Sequence, residues 1–171
     1  MRVRYFVEGL GEVEHDLLAM AERALEPGPV LRLIGKGLQQ REAEAFASGG
    51  FGQWAPLSPS TIAAKGHDTI LVDTGDLMAS LTEEGAEGAL FEVNGSELHF
   101  GTNLTSEDGT YYPGLLRTGT SRMPARDPLP ELDESDLLLF SKAIQTYIVC
   151  VDRAEFGVGS WSLGSLDPFG L

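Results

Sequence analysis

The sequence predicts an α+β fold: helices packed on a small antiparallel sheet, with a long C-terminal helix and an extended tail. Three observations predict it. Apolar residues recur at helical spacing over residues 12–25, 31–46 and 133–151. Two short alternating runs, 89–93 and 97–101, flank Asn94-Gly95, a pair that favours a tight hairpin. Beyond Val151 the periodicity collapses, although large apolar residues continue. Residues 1–151 therefore read as one domain and 152–171 as an extended arm.

The elements follow in order. Val3-Arg4-Tyr5-Phe6-Val7 is β-rich and reads as a short strand ended by Gly9 and Gly11. Val13, Leu17, Met20, Ala21 and Ala24 place one apolar stripe on a helix with acids in its first turn, where the helix dipole favours them. Pro27-Gly28-Pro29 interrupts it, leaving either a helical hairpin or one kinked helix. The next helix carries Leu31, Ile34, Leu38, Ala45 and Phe46 on one face and is weakened by Gly35 and Gly37. Ser48-Gly49-Gly50 is a loop. Ser58 before Pro59 fits an N-cap followed by a first helical residue, with Gly66 as the stop. Asp73 or Thr74 is expected to cap a short helix bearing Leu77, Met78 and Leu81. Residues 102–130 are rich in Gly, Pro, Ser and Thr, with room for a helical turn near 112–117. Asp133 opens the last helix, whose apolar positions are Leu137, Phe140, Ile144, Ile148 and Val151. The sequence contains no internal repeat.

Composition narrows the function. The chain has 171 residues and a net charge of −14, with 42% hydrophobic residues, enough for a real core. The acids concentrate in residues 51–110, which carry ten of them against Lys65 alone. Gripping nucleic acid needs a basic footprint that displaces counterions, and none of useful size is present. The acidity reads either as solubility alone or as a surface that repels DNA, such as a channel wall. No apolar run is long enough to span a bilayer, and the N-terminus is too charged for a signal peptide. The lone Cys150 excludes an intrachain disulfide and a multi-cysteine zinc site, and a reducing cytoplasm is expected.

No motif points to catalysis, a cofactor or a metal. His15, His67 and His99 lack partners at ligand spacing. The acidic loop 103–109 lacks the alternating ligands and distal Glu of a calcium loop. Gly49-Gly50-Phe51-Gly52 lacks the Lys-Ser/Thr of a phosphate loop. Ser58, Ser60 and Thr61 read as caps, and Cys150 as a small buried hydrophobe. An enzymatic alternative would draw on Glu83, Glu84, Asp108 and Asp127 as acid–base groups, which requires burial in a cleft. Arg117, Arg122 and Arg126 form the one basic cluster. They are either scattered solvated arginines or partners for the acids of a neighbouring subunit. Trp161 and Phe169, set among glycines, mark residues 155–171 as an inter-subunit or partner arm.

One ordered set of residues goes further. It begins with Phe51, Trp54, Pro56-Leu57-Ser58, Thr61, Lys65, Ile70-Leu71, Thr74-Gly75, Leu77 and Ser80. Leu98-His99-Phe100-Gly101-Thr102, Tyr111-Tyr112, Thr118-Gly119-Thr120 and Pro124-Ala125-Arg126 with Pro128-Leu129 follow. This order, over about residues 10–150, resembles the phage virion-morphogenesis, or tail-completion, proteins of the Mu-like and HK97-like type. The chain departs from their pattern where Asp127 separates Arg126 from Pro128, where Leu129 replaces Phe, and where Pro113 follows the tyrosines. The 103–110 loop is also expanded and the 152–171 tail is additional.

The resemblance implies a non-enzymatic neck protein with no cofactor. It implies a homo-oligomeric ring, usually a hexamer, between the head connector or adaptor and the tail terminator or tail tube, in the virion and assembled in the host cytoplasm. DNA would pass through its lumen without specific binding. A tail terminator or a head-completion adaptor of the same neck is the alternative. Candidate interface residues are Trp54, Leu57, Tyr112, Arg117, Arg122, Arg126, Trp161 and Phe169. The acidic 51–110 stretch and the 117–126 arginines would form the two unlike patches that ring closure needs.

Overall fold

The structure, a computed structural model, describes residues 9–149. The strand expected over residues 3–7, the end of the last helix at Cys150 and Val151, and the tail with Trp161 and Phe169 lie outside the described residues. Among the described residues, six helices and one hairpin follow one another: α1 Leu10–Leu25, α2 Gly28–Ser48, α3 Pro59–Lys65, α4 Asp76–Thr82, β1 Ala89–Asn94, β2 Glu97–Thr102, α5 Tyr112–Thr118 and α6 Glu134–Val149. This is an α+β fold, with α2 and α4 packed on a two-stranded antiparallel sheet.

The break at Pro27 separates α1 from α2, but they form neither a hairpin nor one kinked helix. α1 meets α6 instead. The Arg23 Nε donates to the Ile148 carbonyl at 2.8 Å, and the Tyr147 hydroxyl donates to the Glu26 carbonyl at 2.8 Å. Both contacts tie the C-terminal ends of the two helices together.

α2 is the spine. Its first half supplies Val30 and Ile34 to a core completed by Ala143 and Tyr147 of α6. Its second half supplies Phe46 to another core with Trp54, Leu77, Leu81 and Leu104. Gly35 costs helix propensity but lets the sheet approach. A Cβ at this position would lie 2.5 Å from the tip of the Phe91 ring.

The hairpin pairs Asn94 with Glu97, so its loop is Gly95-Ser96, one residue later than the Asn-Gly signal predicts. Gly95 has φ +60, whereas Asn94 and Ser96 are not in the left-handed region. A positive φ at the first central residue alone is the II′ pattern, which demands Gly there and leaves Asn94 in the strand. Ser80 of α4 then donates to Thr102 Oγ1 at 2.9 Å in the buried seam between helix and sheet.

Helix starts follow their local chemistry, with one correction. Ser58 Oγ accepts from the Thr61 N–H at 3.2 Å, and Asp133 Oδ1 accepts from the N–H groups of Ser135 and Asp136 at 2.8 and 2.9 Å. The N-cap of α4 is Gly75 at φ +100, not Asp73 or Thr74. Thr74 binds Asp76 within the first turn instead. On α6 the inward face is set by Ala143 and Tyr147, so Leu137 stays exposed although it heads the apolar spacing.

Leu81 is fully buried and Leu138 is 70% exposed. Leu81→Ala is expected to lower unfolding free energy by about 2–5 kcal/mol through cavity formation, and Leu138→Ala by less than about 0.5 kcal/mol. Chemical denaturation of both variants checks the contrast.

Candidate functional site

The segment after α2 turns through four consecutive residues in the left-handed region: Gly49, Gly50, Phe51 and Gly52, with φ of 67, 68, 55 and 79. Glycine adopts this without strain, but Phe51 does so at a cost of about 1–2 kcal/mol. Hydrogen bonds hold the turn. The Gly50 N–H donates to the Ala45 carbonyl at 2.7 Å, and the Trp54 N–H donates to the Gly49 carbonyl at 3.0 Å. A side chain at Gly50 would overlap the Trp54 indole. The turn thus folds Trp54 back onto Phe46, ring edge to face, with centroids 5.4 Å apart.

Trp54 and its neighbours then meet a distant stretch of chain. The indole Nε1 donates to the Asp127 carbonyl at 2.8 Å. In return the Arg126 guanidinium donates to the carbonyls of Ala55 and Pro56 at 2.6 and 2.9 Å. The Arg126 N–H also donates to the Leu116 carbonyl at 2.7 Å, which joins the 124–127 stretch to α5. This reciprocal clasp crosses 70 residues of sequence and anchors the loop-rich region to the core.

A cleft of about 830 Å³ lies beside the clasp, between the end of α2, the Phe51 turn and residues 117–136. Arg41 is its organising side chain. Its guanidinium binds Asp136 at 2.9 Å and the carbonyls of Pro130 and Glu131 at 3.2 and 2.9 Å. It also lies 5.2 Å from the centre of the Phe51 ring. Arg117 bridges Asp127 at 3.1 Å and reaches Glu131 at 4.0 Å. The Asp136 N–H and the turn at Ser135 hold the Asp133 carboxyl below the usual carboxylate range.

Glu42 lies under this network and is 1% exposed. One carboxylate oxygen binds Arg41 at 3.1 Å, and Oε2 has no hydrogen-bond partner among the described residues. Burial pushes its carboxyl up to about 7. Arg41 opposes that rise, while Asp127 and Asp136 add to it.

The expected interface residues do not form one patch. Trp54 and Arg126 are buried within the chain's own fold. Arg126 is therefore neither a solvated arginine nor free for a neighbouring subunit. The carbonyls of Ala55 and Pro56 hold its planar fork inward. Leu57 and Tyr112 are half-buried, and Tyr112 packs on the Trp54 core. Arg117 is exposed but already paired with Asp127. Arg122 is exposed, with no side-chain partner among the described residues. Of the carboxylates considered for acid–base work, Glu83, Glu84 and Asp108 are exposed and Asp127 is paired with Arg117.

Sequence reasoning missed Arg41, Glu42 and Asp136 as a group. One signal was available: Arg41 and Glu42 interrupt the α2 stripe between Leu38 and Ala45, where charge is unexpected. Among the described residues no three His, Cys, Asp or Glu side chains converge to hold a metal, and no helix is long and apolar enough to cross a membrane.

No protein-family model, curated protein or solved structure matches this chain. The site's cations are spent on carbonyls and carboxylates, and its aromatic rings on packing. What it can do is lock segments together and present a cleft of mixed charge.

Arg126→Lys keeps the charge but loses the fork, so it is expected to destabilise the fold by about 1–3 kcal/mol, measured by denaturant titration. Glu42 binds its proton more tightly folded than unfolded. Its protonated form therefore adds stability below pH 4.5, and that stability is lost as pH rises towards about 7. Glu42→Gln is expected to flatten the fall in stability between those pH values, a difference of up to about 3 kcal/mol, in unfolding curves across pH.

Proposed function

We propose that this chain is a structural subunit of the neck of a tailed phage, acting as a tail-completion protein. Copies form a homo-oligomeric ring, a hexamer in this reading, between the head connector and the tail, and DNA passes through the lumen. One observation carries the proposal. Trp54, Pro56 and Arg126, three of the residues that carry the resemblance, take part in the clasp although about 70 residues apart. They serve architecture, and none is left free for chemistry.

Charge distribution supports the same reading. The acidic surface of residues 51–110 disfavours DNA adhesion, as a lumen requires. Arg122, exposed and without a side-chain partner among the described residues, is a cation available to a second copy. A ring closes through two unlike patches, and an arginine loop opposite an acidic face meets that condition. A tail terminator or head-completion adaptor of the same neck would share these features. The position of the chain in a particle map separates the three.

Negative-stain microscopy and light scattering of the purified chain, alone and mixed with connector and tail-tube proteins, test the reading. Rings are expected. A monomer under every condition, together with absence from purified virions, would overturn it. Arg122→Glu should reduce ring formation severalfold while leaving the unfolding midpoint unchanged.

A further inference from the structure

α1 presents a broad apolar face to solvent. Leu10, Val13, Leu17, Leu18 and Leu25 are each between 55% and 83% exposed. Arg23 is the buried residue of the helix, and it lies on a different face, against the end of α6. Helical spacing puts Leu10, Val13, Leu17 and Ala24 on one line, with Leu18 and Leu25 flanking it. An isolated helix of 16 residues is marginal in water without such a face being packed.

We propose that this face is the docking surface for residues 150–171 of the same chain. The position of Val149 argues for that occupant. The Arg23–Ile148 and Tyr147–Glu26 hydrogen bonds place the end of α6 beside the last turn of α1. Leu25 and Val149, both exposed, extend the apolar face to the last described residue of α6. The segment that follows carries Phe156, Val158, Trp161, Leu163, Leu166 and Phe169 among glycines and serines. α1 is roughly 24 Å long at 1.5 Å per residue. The 22 residues of 150–171 can extend to roughly 70 Å, so they can run the length of the helix with slack. Small residues between the large ones let an extended strand of chain lay successive apolar side chains along a helix without crowding it. The proposal does not depend on ring formation, because it concerns a contact within one chain.

The full-length chain tests it at concentrations where light scattering reports a monomer. Hydrogen exchange across Leu10–Leu25 is measured in the parent and in a Trp161→Ser, Phe169→Ser variant. Exchange in α1 should accelerate about tenfold in the variant while that of α2 is unchanged. Reciprocally, Leu17→Glu, at an exposed position that leaves the fold intact, should raise acrylamide quenching of Trp161 severalfold. The Trp161→Phe chain provides the Trp54 baseline. Unchanged exchange in α1, or unchanged Trp161 quenching in Leu17→Glu, overturns the proposal. Coupling that vanishes on dilution would place the arm of a second copy on this face and also overturns it. So would protection that depends on Tyr5 and Phe6 instead of Trp161 and Phe169.

Discussion

The structure depends on the reciprocal clasp between residues 54–56 and 126–127. Residues 103–133 have little regular structure beyond α5, and packing of Leu104, Tyr112, Leu116 and Leu129 on the core leaves the path between these anchors to be fixed. Three side-chain hydrogen bonds do so, from one indole and one guanidinium to three carbonyls. The indole and the guanidinium are buried, and leaving either without an acceptor would cost about 1–3 kcal/mol, so the two segments specify each other. The clasp also fixes the start of the approach to α6, since Leu129 and Pro130 follow directly and the Pro130 carbonyl is bound by Arg41.

That dependence reaches back into α2. The helix joins two cores, and its left-handed exit sets the angle at which Trp54 returns. Strain at Phe51 is tolerated because five hydrogen bonds around the turn and the Arg41 contact outweigh it. Arg41 and Glu42 then illustrate the cost of building such a junction from polar groups. Arg41 is fully engaged, while Glu42 is desolvated with one oxygen unpartnered. Burial raises the Glu42 carboxyl for this reason, against the pull of Arg41.

The surface divides into two regimes. Around the cleft, charges are paired within the chain, and little is left over for partners apart from Arg122 and the outward acids. At the other end α1 leaves its apolar side chains in water, and the cost of that exposure implies a covering segment or partner.

Much of the fold was legible in the sequence. Helical spacing located α1, α2 and α6, the Ser58-Pro59 and Gly66 signals bounded α3, and alternation marked the hairpin. These features are local: a cap, a period of 3.6 or a turn residue acts within a few positions. The hairpin loop fell one residue later than its Asn-Gly signal, because only Gly95 needed a positive φ. The candidate site was less legible. Arg126 reads as one of three loop arginines, and only the fold shows that it faces two carbonyls 70 residues away while Arg122 faces solvent. Arg41, Glu42 and Asp136 lie on two helices whose meeting no sequence period encodes. The sequence by itself determined the elements and the acidic balance. The tertiary structure decided which charges are spent inside and which remain outside, because pairing over long separations depends on the path of the backbone and not on local propensity.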